Sequence, residues 1–363
     1  MLYHLLYPLR DIFFGFNVFR YITFRTVGAT ITAFLLSIIL GPFIIKTLKR
    51  LHIGEYIRSE EEVPGIYPLH KHKEGTPTMG GILMLVAILL STFLWARLDN
   101  RYIWLTIFTT TWLGIVGFLD DYIKLKRKDG DGLSKRTKFI GQVILGLVLG
   151  SILFFDKNVG STIHFPFFKE AILDIGIIYI LFVMCVVVGT SNAVNLTDGL
   201  DGLAIGCMIM VALAYMVISY VVGNVNFSEY LFIRYVPGSG ELAIFCAAIV
   251  GAGLGFLWFN SYPASVFMGD VGALALGGGI GVVAACIKKE MLLLVVGGIF
   301  VFEAISVILQ VGSFKLRRRR IFLMAPFHHH LQMKGWHEPK IVIRFWIVAA
   351  ILALFTLATL KLR

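Results

Sequence analysis

Residues 102–128 read YIWLTIFTTTWLGIVGFLDDYIKLKRK, and this stretch decides the fold. Residues 102–119 carry no charge. A run of that length crosses a hydrocarbon core of about 30 Å only as an α-helix, because backbone polar groups there must be satisfied within the segment. The run is continuous rather than alternating and too long for a barrel strand. It stops at Asp120 and Asp121, and Lys124, Lys126, Arg127 and Lys128 follow. One stretch therefore supplies a membrane helix, an acidic pair at its edge and a basic flank.

The same pattern recurs along the 363 residues, which are 58% hydrophobic and 15% charged with a mean hydropathy of +0.83. Such a composition excludes a soluble globular protein and a disordered one. Ten segments qualify as spans, near 24–45, 79–96, 102–119, 139–156, 174–191, 203–222, 242–259, 271–287, 291–311 and 342–360. The expected fold is all-α, a polytopic bundle of about ten transmembrane helices in one integral-membrane domain over residues 1–363. Residues 1–20, rich in Phe and Tyr, read as an interfacial amphipathic segment on the outer face. Cys185, Cys207, Cys246 and Cys286 lie in apolar runs and show neither metal-ligand nor disulfide spacing.

Ten spans put both termini on one side. The odd-numbered loops, 46–78, 120–138, 192–202, 260–270 and 312–341, hold 20 of the 33 Lys and Arg residues against seven in the even ones, so the odd loops are expected in the cytoplasm and both termini in the periplasm. The net charge of +11 belongs to these loops, where it sets topology and meets anionic headgroups or phosphates rather than nucleic acid. The runs Arg317 to Arg320 and Lys124 to Lys128 are explained equally well as orientation signals alone.

Two odd loops lack basic residues and are dense in Asp, Asn and Gly instead: NAVNLTDGLDG at 192–202 and NSYPASVFMGD at 260–270. Open backbone N–H groups there suit a phosphate or nucleoside, although capping and turn chemistry use the same residues. Asp120 and Asp121 weigh toward a ligand, because adjacent carboxylates at the edge of hydrocarbon are costly unless a cation offsets them. Mg²⁺ takes a few carboxylates together with water and phosphate oxygens, so Asp120, Asp121, Asp198, Asp201 and Asp270 suit it. The last odd loop carries MAPFHHHLQMKGWHEP, 324–339, and the first ends in KHKEGTPTMGG, 71–81. His328, His329 and His330 point in different directions in a turn-like loop, which favours hydrogen bonding to phosphate or acid–base work over a shared transition metal. Five loops on one face then read as one polar site open to a phosphate compound and a lipid headgroup. A transporter is the competing class, but its ionisable groups belong near mid-membrane on broken helices within internal repeats.

The ordered set GTPTMGG, FLDDY, NAVNLTDGLDG, WFNSYPASVFMGD and MAPFHHHLQMKGW on alternate loops resembles the phospho-N-acetylmuramoyl-pentapeptide-transferase family, within the polyprenyl-phosphate N-acetylhexosamine-1-phosphate transferases. Essentially the whole chain takes part. The resemblance implies a bacterial inner-membrane enzyme that transfers phospho-MurNAc-pentapeptide from UDP-MurNAc-pentapeptide to undecaprenyl phosphate. Lipid I and UMP are the products, Mg²⁺ is required and a homodimer is expected. It also implies Asp270, Asp120 and Asp121 as the metal and catalytic centre, with His328 catalytic. Substrate contacts are implied for Lys73, Thr78, Lys124, Lys138, Asn192, Asn195, Asp198, Gly199, Asp201, Asn260, Gln310, His329 and His330, and Phe267 matches the aromatic that stacks on uracil. A relative acting on a UDP-N-acetylhexosamine without the peptide stays open beside it.

Overall fold

The structure is a computed structural model and describes residues 1–51, 73, 75–127, 132–165 and 172–361; Lys71, His72, Glu74 and Lys128 of the stretches quoted above lie outside the described residues. Ten helices carry the architecture: α1 (Ile22–Arg50), α2 (Gly81–Trp95), α3 (Arg101–Arg127), α4 (Lys135–Phe154), α5 (Ile178–Thr197), α6 (Leu203–Val222), α7 (Leu242–Asn260), α8 (Gly269–Cys286), α9 (Gly298–Arg317) and α10 (Glu338–Ala358). Among the described residues nine helices are long and apolar enough to cross a membrane, while α2 has 15 residues and falls short of that length. The cause lies before its first turn. Residues 76–79 lie outside the helix, with Met79 at φ 66°, and Gly80 and Gly81, where the helix opens, donate to the carbonyls of Phe267 and Met268. A single small sheet is described, β1 (Thr162–His164) antiparallel to β2 (Ile172–Asp174).

Helix ends depart from the expected boundaries where polar residues extend them. The third helix runs on to Arg127, so Asp120, Asp121 and Lys124 are helical, and the Lys124, Lys126 and Arg127 charges suit the negative end of its dipole. Asn192 and Asn195 likewise sit in the last turns of α5. The expected span 291–311 is interrupted at Gly297, between a four-residue turn, Leu293–Val296, and α9.

Helix α8 is the axis of the bundle, with every residue from Val271 to Cys286 buried. It packs chiefly on α3 and α5, whose polar ends thereby reach Asp270 at its first turn. Close approach requires a missing side chain: a Cβ on Gly117 of α3 would lie 2.3 Å from the Asp270 carbonyl oxygen. Helix α1 buries Ala29, Ala33, Ser37 and Gly41 against the bundle at helical spacing and turns Val27, Ile31, Leu35, Ile39 and Phe43 outward. This is the division expected where small residues face helices and large apolar ones face lipid.

The end of the bundle away from Asp270 is closed by its own polar contacts. Arg25 makes a bidentate pair with Glu241, both bonds at 2.6 Å, and Tyr179 donates to Glu290 at 2.6 Å. Met1 and Lys361, the first and last described residues, belong to this layer. The Met1 ammonium donates to the carbonyls of Phe93 and Ala96, and Lys361 donates to that of Tyr230. Residues 2–20 form short helical turns that leave Leu5, Ile12, Phe13 and Phe14 exposed.

Candidate active site

The polar ends of α3, α5 and α8 build an acidic centre. Asp120, Asp121 and Asp270 each bring a carboxylate oxygen within 4.8 Å of the others. Lys124, one turn beyond the acidic pair, reaches all three, at 2.6 Å from Asp120, 3.4 Å from Asp121 and 3.0 Å from Asp270. Lys138 at the start of α4 lies 2.6 Å from Asp270 and 3.7 Å from Asp120. Asn195 donates to the other Asp270 oxygen at 2.6 Å, and Leu133 N–H donates to Asp120 at 2.8 Å. Three carboxylates thus share two ammonium groups.

That donor set fits a divalent metal. Its oxygens are hard ligands, they converge, and the position already stabilises the positive charge of Lys124. Gly269, at φ +70°, supplies the turn into α8; a Cβ there would meet Asp121 Oδ2 at 2.6 Å and Thr78 Oγ1 at 3.0 Å, so Thr78 borders the same centre.

A second group forms where the ends of α7 and α10 meet the 198–202 turn. Lys73 donates to Asp201 at 2.6 Å and to Glu338 at 2.7 Å, all three buried. Burial pulls the Lys73 pKa down, but the Glu338 and Asp201 charges outweigh it, and the net shift is upward. Ala264 N–H donates to the second Asp201 oxygen at 3.0 Å. Asn260 accepts from Gly202 N–H at 3.0 Å and donates to the Val266 carbonyl at 2.9 Å, which fixes the loop leading to Phe267. The Phe267 ring is half-buried, with the Lys73 ammonium 5.8 Å from its centre. Phe267 N–H donates to Pro77, so the 75–81 and 260–270 stretches pair along their backbones.

The histidines lie on a short helix, Phe327–Met333, whose first N–H groups are taken by Glu303 of α9: Phe327 N–H at 2.7 Å and His328 N–H at 3.2 Å. The His328 ring is fully buried, with Nδ1 3.3 Å from Glu303, and its Nε2 faces Gly199, where a Cβ would come within 2.3 Å. Burial, with a smaller contribution from the Lys73 charge, lowers the His328 pKa to about 3. Burial lowers His329 likewise to about 3. Both rings are therefore neutral at physiological pH.

The expected residues thus divide. Asp120, Asp121, Asp270, Lys124, Lys138, Asn195 and Thr78 converge at the acidic centre; Lys73, Asp201, Asn260 and Phe267 form the second group, and Gly199 joins it to His328. Asp198 is half-buried just past the end of α5. Asn192 turns its amide to Gln142 of α4 and the Val188 carbonyl. Gln310 binds the backbone of Ile321 and Phe322, His330 accepts from Leu323 N–H, and His329 pairs with Gln332. In the sequence Glu338 resembles an ordinary first-turn acid and gives no signal of its contact with Lys73, and Glu303 is the clearest buried acid inside a span without any sign of its bonds to Phe327 and His328.

Glycosyl transferase family 4 matches residues 103–288, and phospho-N-acetylmuramoyl-pentapeptide-transferase signature 1 matches residues 73–85. These ranges contain the acidic pair, Asp270 and the Lys73 loop. Proteins named phospho-N-acetylmuramoyl-pentapeptide-transferase are similar over the whole of both chains: 54% identical in Desulfotalea psychrophila, 53% in Citrifermentans bemidjiense and 51% in Syntrophus aciditrophicus. With full-length likeness joined to a converged acidic centre, the chain belongs to the phospho-N-acetylmuramoyl-pentapeptide-transferase family.

Proposed function

We propose that this membrane enzyme transfers phospho-MurNAc-pentapeptide from UDP-MurNAc-pentapeptide to undecaprenyl phosphate, giving lipid I and UMP. An oxygen of the lipid phosphate attacks the sugar-bearing phosphorus, and the bond to the uridylate oxygen breaks, so that UMP leaves. The observation that carries this reading is the convergence of Asp120, Asp121 and Asp270 around Lys124 at one end of the bundle.

Phosphoryl transfer asks a protein mainly for positioning and charge neutralisation. Mg²⁺ held by Asp270, Asp120 and Asp121 would bind diphosphate oxygens and offset the charge that develops on them. Lys124 and Lys138 add fixed positive charge beside it, and Asn195 holds Asp270 in place. Asp120 orients the lipid phosphate; because a phosphate monoester has a second pKa near about 6, much of it is already a dianion at neutral pH and a strong base is not demanded. Phe267 stacks on the uracil, an interaction worth about 1–3 kcal/mol per base. The prenyl tail follows an apolar cavity of about 310 Å³ between α5, α6, α8 and α9, whose rim includes the exposed Cys185, Leu294 and Ile305.

By the distribution of Lys and Arg, the acidic centre faces the cytoplasm and both termini face the periplasm of the bacterial inner membrane. The homodimer stays an expectation of the family, checked by the mass of the solubilised protein. Purified protein given UDP-MurNAc-pentapeptide, undecaprenyl phosphate and Mg²⁺ should release UMP and form a lipid-linked product. UMP release with UDP-N-acetylglucosamine alone would reject the peptide-bearing donor, and vesicle uptake of intact donor without UMP would reject the transferase.

A further inference from the structure

Glu338 holds together the part of the site assigned above to the nucleotide. Its Oε1 accepts two hydrogen bonds from different segments, Lys73 Nζ at 2.7 Å and the Asp201 backbone N–H at 2.7 Å. Asp201 in turn takes Lys73 on one carboxylate oxygen and Ala264 N–H on the other. Four segments far apart in sequence thus meet at two carboxylates that share one ammonium, with Glu338 only 7% exposed. An acid in the first turn of α10 would ordinarily serve that helix's own N–H groups and dipole. Here its short contacts go outward to Lys73 and Asp201 instead.

Those contacts have a geometric consequence. The Asp201 amide fixes the turn that continues through Gly202, which is bound by Asn260 and by Trp346. Lys73 is fixed at 5.8 Å from the Phe267 ring centre. Without the Glu338 carboxylate, the ammonium keeps a single acid partner and the Asp201 N–H loses its acceptor, a change that penalises the buried groups left behind.

We infer that Glu338 is a positioning residue for the nucleotide half of the site, acting through Lys73 and the Asp201 amide. The inference rests on the proposed transferase reaction and can be tested apart from it. With the purified full-length chain, Glu338→Gln keeps an acceptor for the Asp201 N–H but loses the charge paired with Lys73. Its KM for the UDP-linked donor should rise about tenfold, the factor that loss of one charge-assisted hydrogen bond produces. The KM for undecaprenyl phosphate and the Mg²⁺ dependence should stay unchanged, and Glu338→Asp should recover part of the donor affinity. In a Lys73→Met background Glu338→Gln should add little. Equal shifts in both KM values, a loss confined to kcat, or full additivity with Lys73→Met would overturn the inference. If wild type releases no UMP, the transferase reading fails; UMP binding by calorimetry then decides the positioning role, about tenfold weaker in Glu338→Gln if it holds and equal to wild type if it does not.

Discussion

His328 shows how burial decides what a side chain can do. Burial lowers its pKa to about 3, so the ring packs on Gly199 in its neutral form at neutral pH. The folded value lies below the usual value of about 6.5, so the unfolded chain binds more protons between the two. The stability that the neutral ring contributes is complete above pH about 6.5 and is lost as pH falls toward 3. In detergent, the melting temperature should fall on acidification below about pH 6.5, and His328→Gln should flatten that slope. An identical slope in the variant would contradict the buried neutral ring. The three histidines were legible as residues but not as roles, since adjacent letters in MAPFHHH end in three environments. Asn192 carries a letter of the NAVNLTDGLDG motif and Gln310 lies within a span, yet both bind neighbouring helices and loops, a distinction that only packing makes.

At the scale of elements, the site exists because α3 and α5 lie close enough to α8 for their polar ends to touch Asp270. Gly117 permits this approach on the α3 side, where a methyl would meet backbone and not a yielding side chain. Gly117→Ala should push α3 outward at a cost of about 1–3 kcal/mol and lower UMP release at least about tenfold, with the protein still folded. Gly312→Ala on α9, where a Cβ meets no atom within 4 Å, should leave turnover near wild type. Equal activity in the two variants would reject the close-packing argument. The apolar runs made the helices readable from composition, and Asp120, Asp121, Asp198, Asp201 and Asp270 readable as acids that demand a cation, whereas only packing separates Asp201, which pairs with Lys73, from the three that converge. The ends of the helices were less readable, because the polar turns that extend α3 and α5 are held by contacts between helices. The break at Gly297 and the shortened α2 likewise depend on neighbouring segments.

Across the whole molecule the two ends differ in kind. One gathers three carboxylates at a single point, and the other pairs its charges within the fold, most tightly in Arg25 with Glu241. Arg25→Met alone should destabilise the protein by about 3–5 kcal/mol by stranding Glu241, whereas Arg25→Met with Glu241→Gln should recover most of the loss. A double variant as unstable as the single one would deny the pairing a structural role. The proposed transfer requires a metal at the end that carries Asp270. The most direct measurement is electron spin resonance of Mn²⁺ titrated into purified wild type and Asp270→Asn. Saturable binding that Mg²⁺ displaces, lost in the variant while its helical content and melting temperature are kept, is the predicted result. Undiminished binding in Asp270→Asn would contradict it.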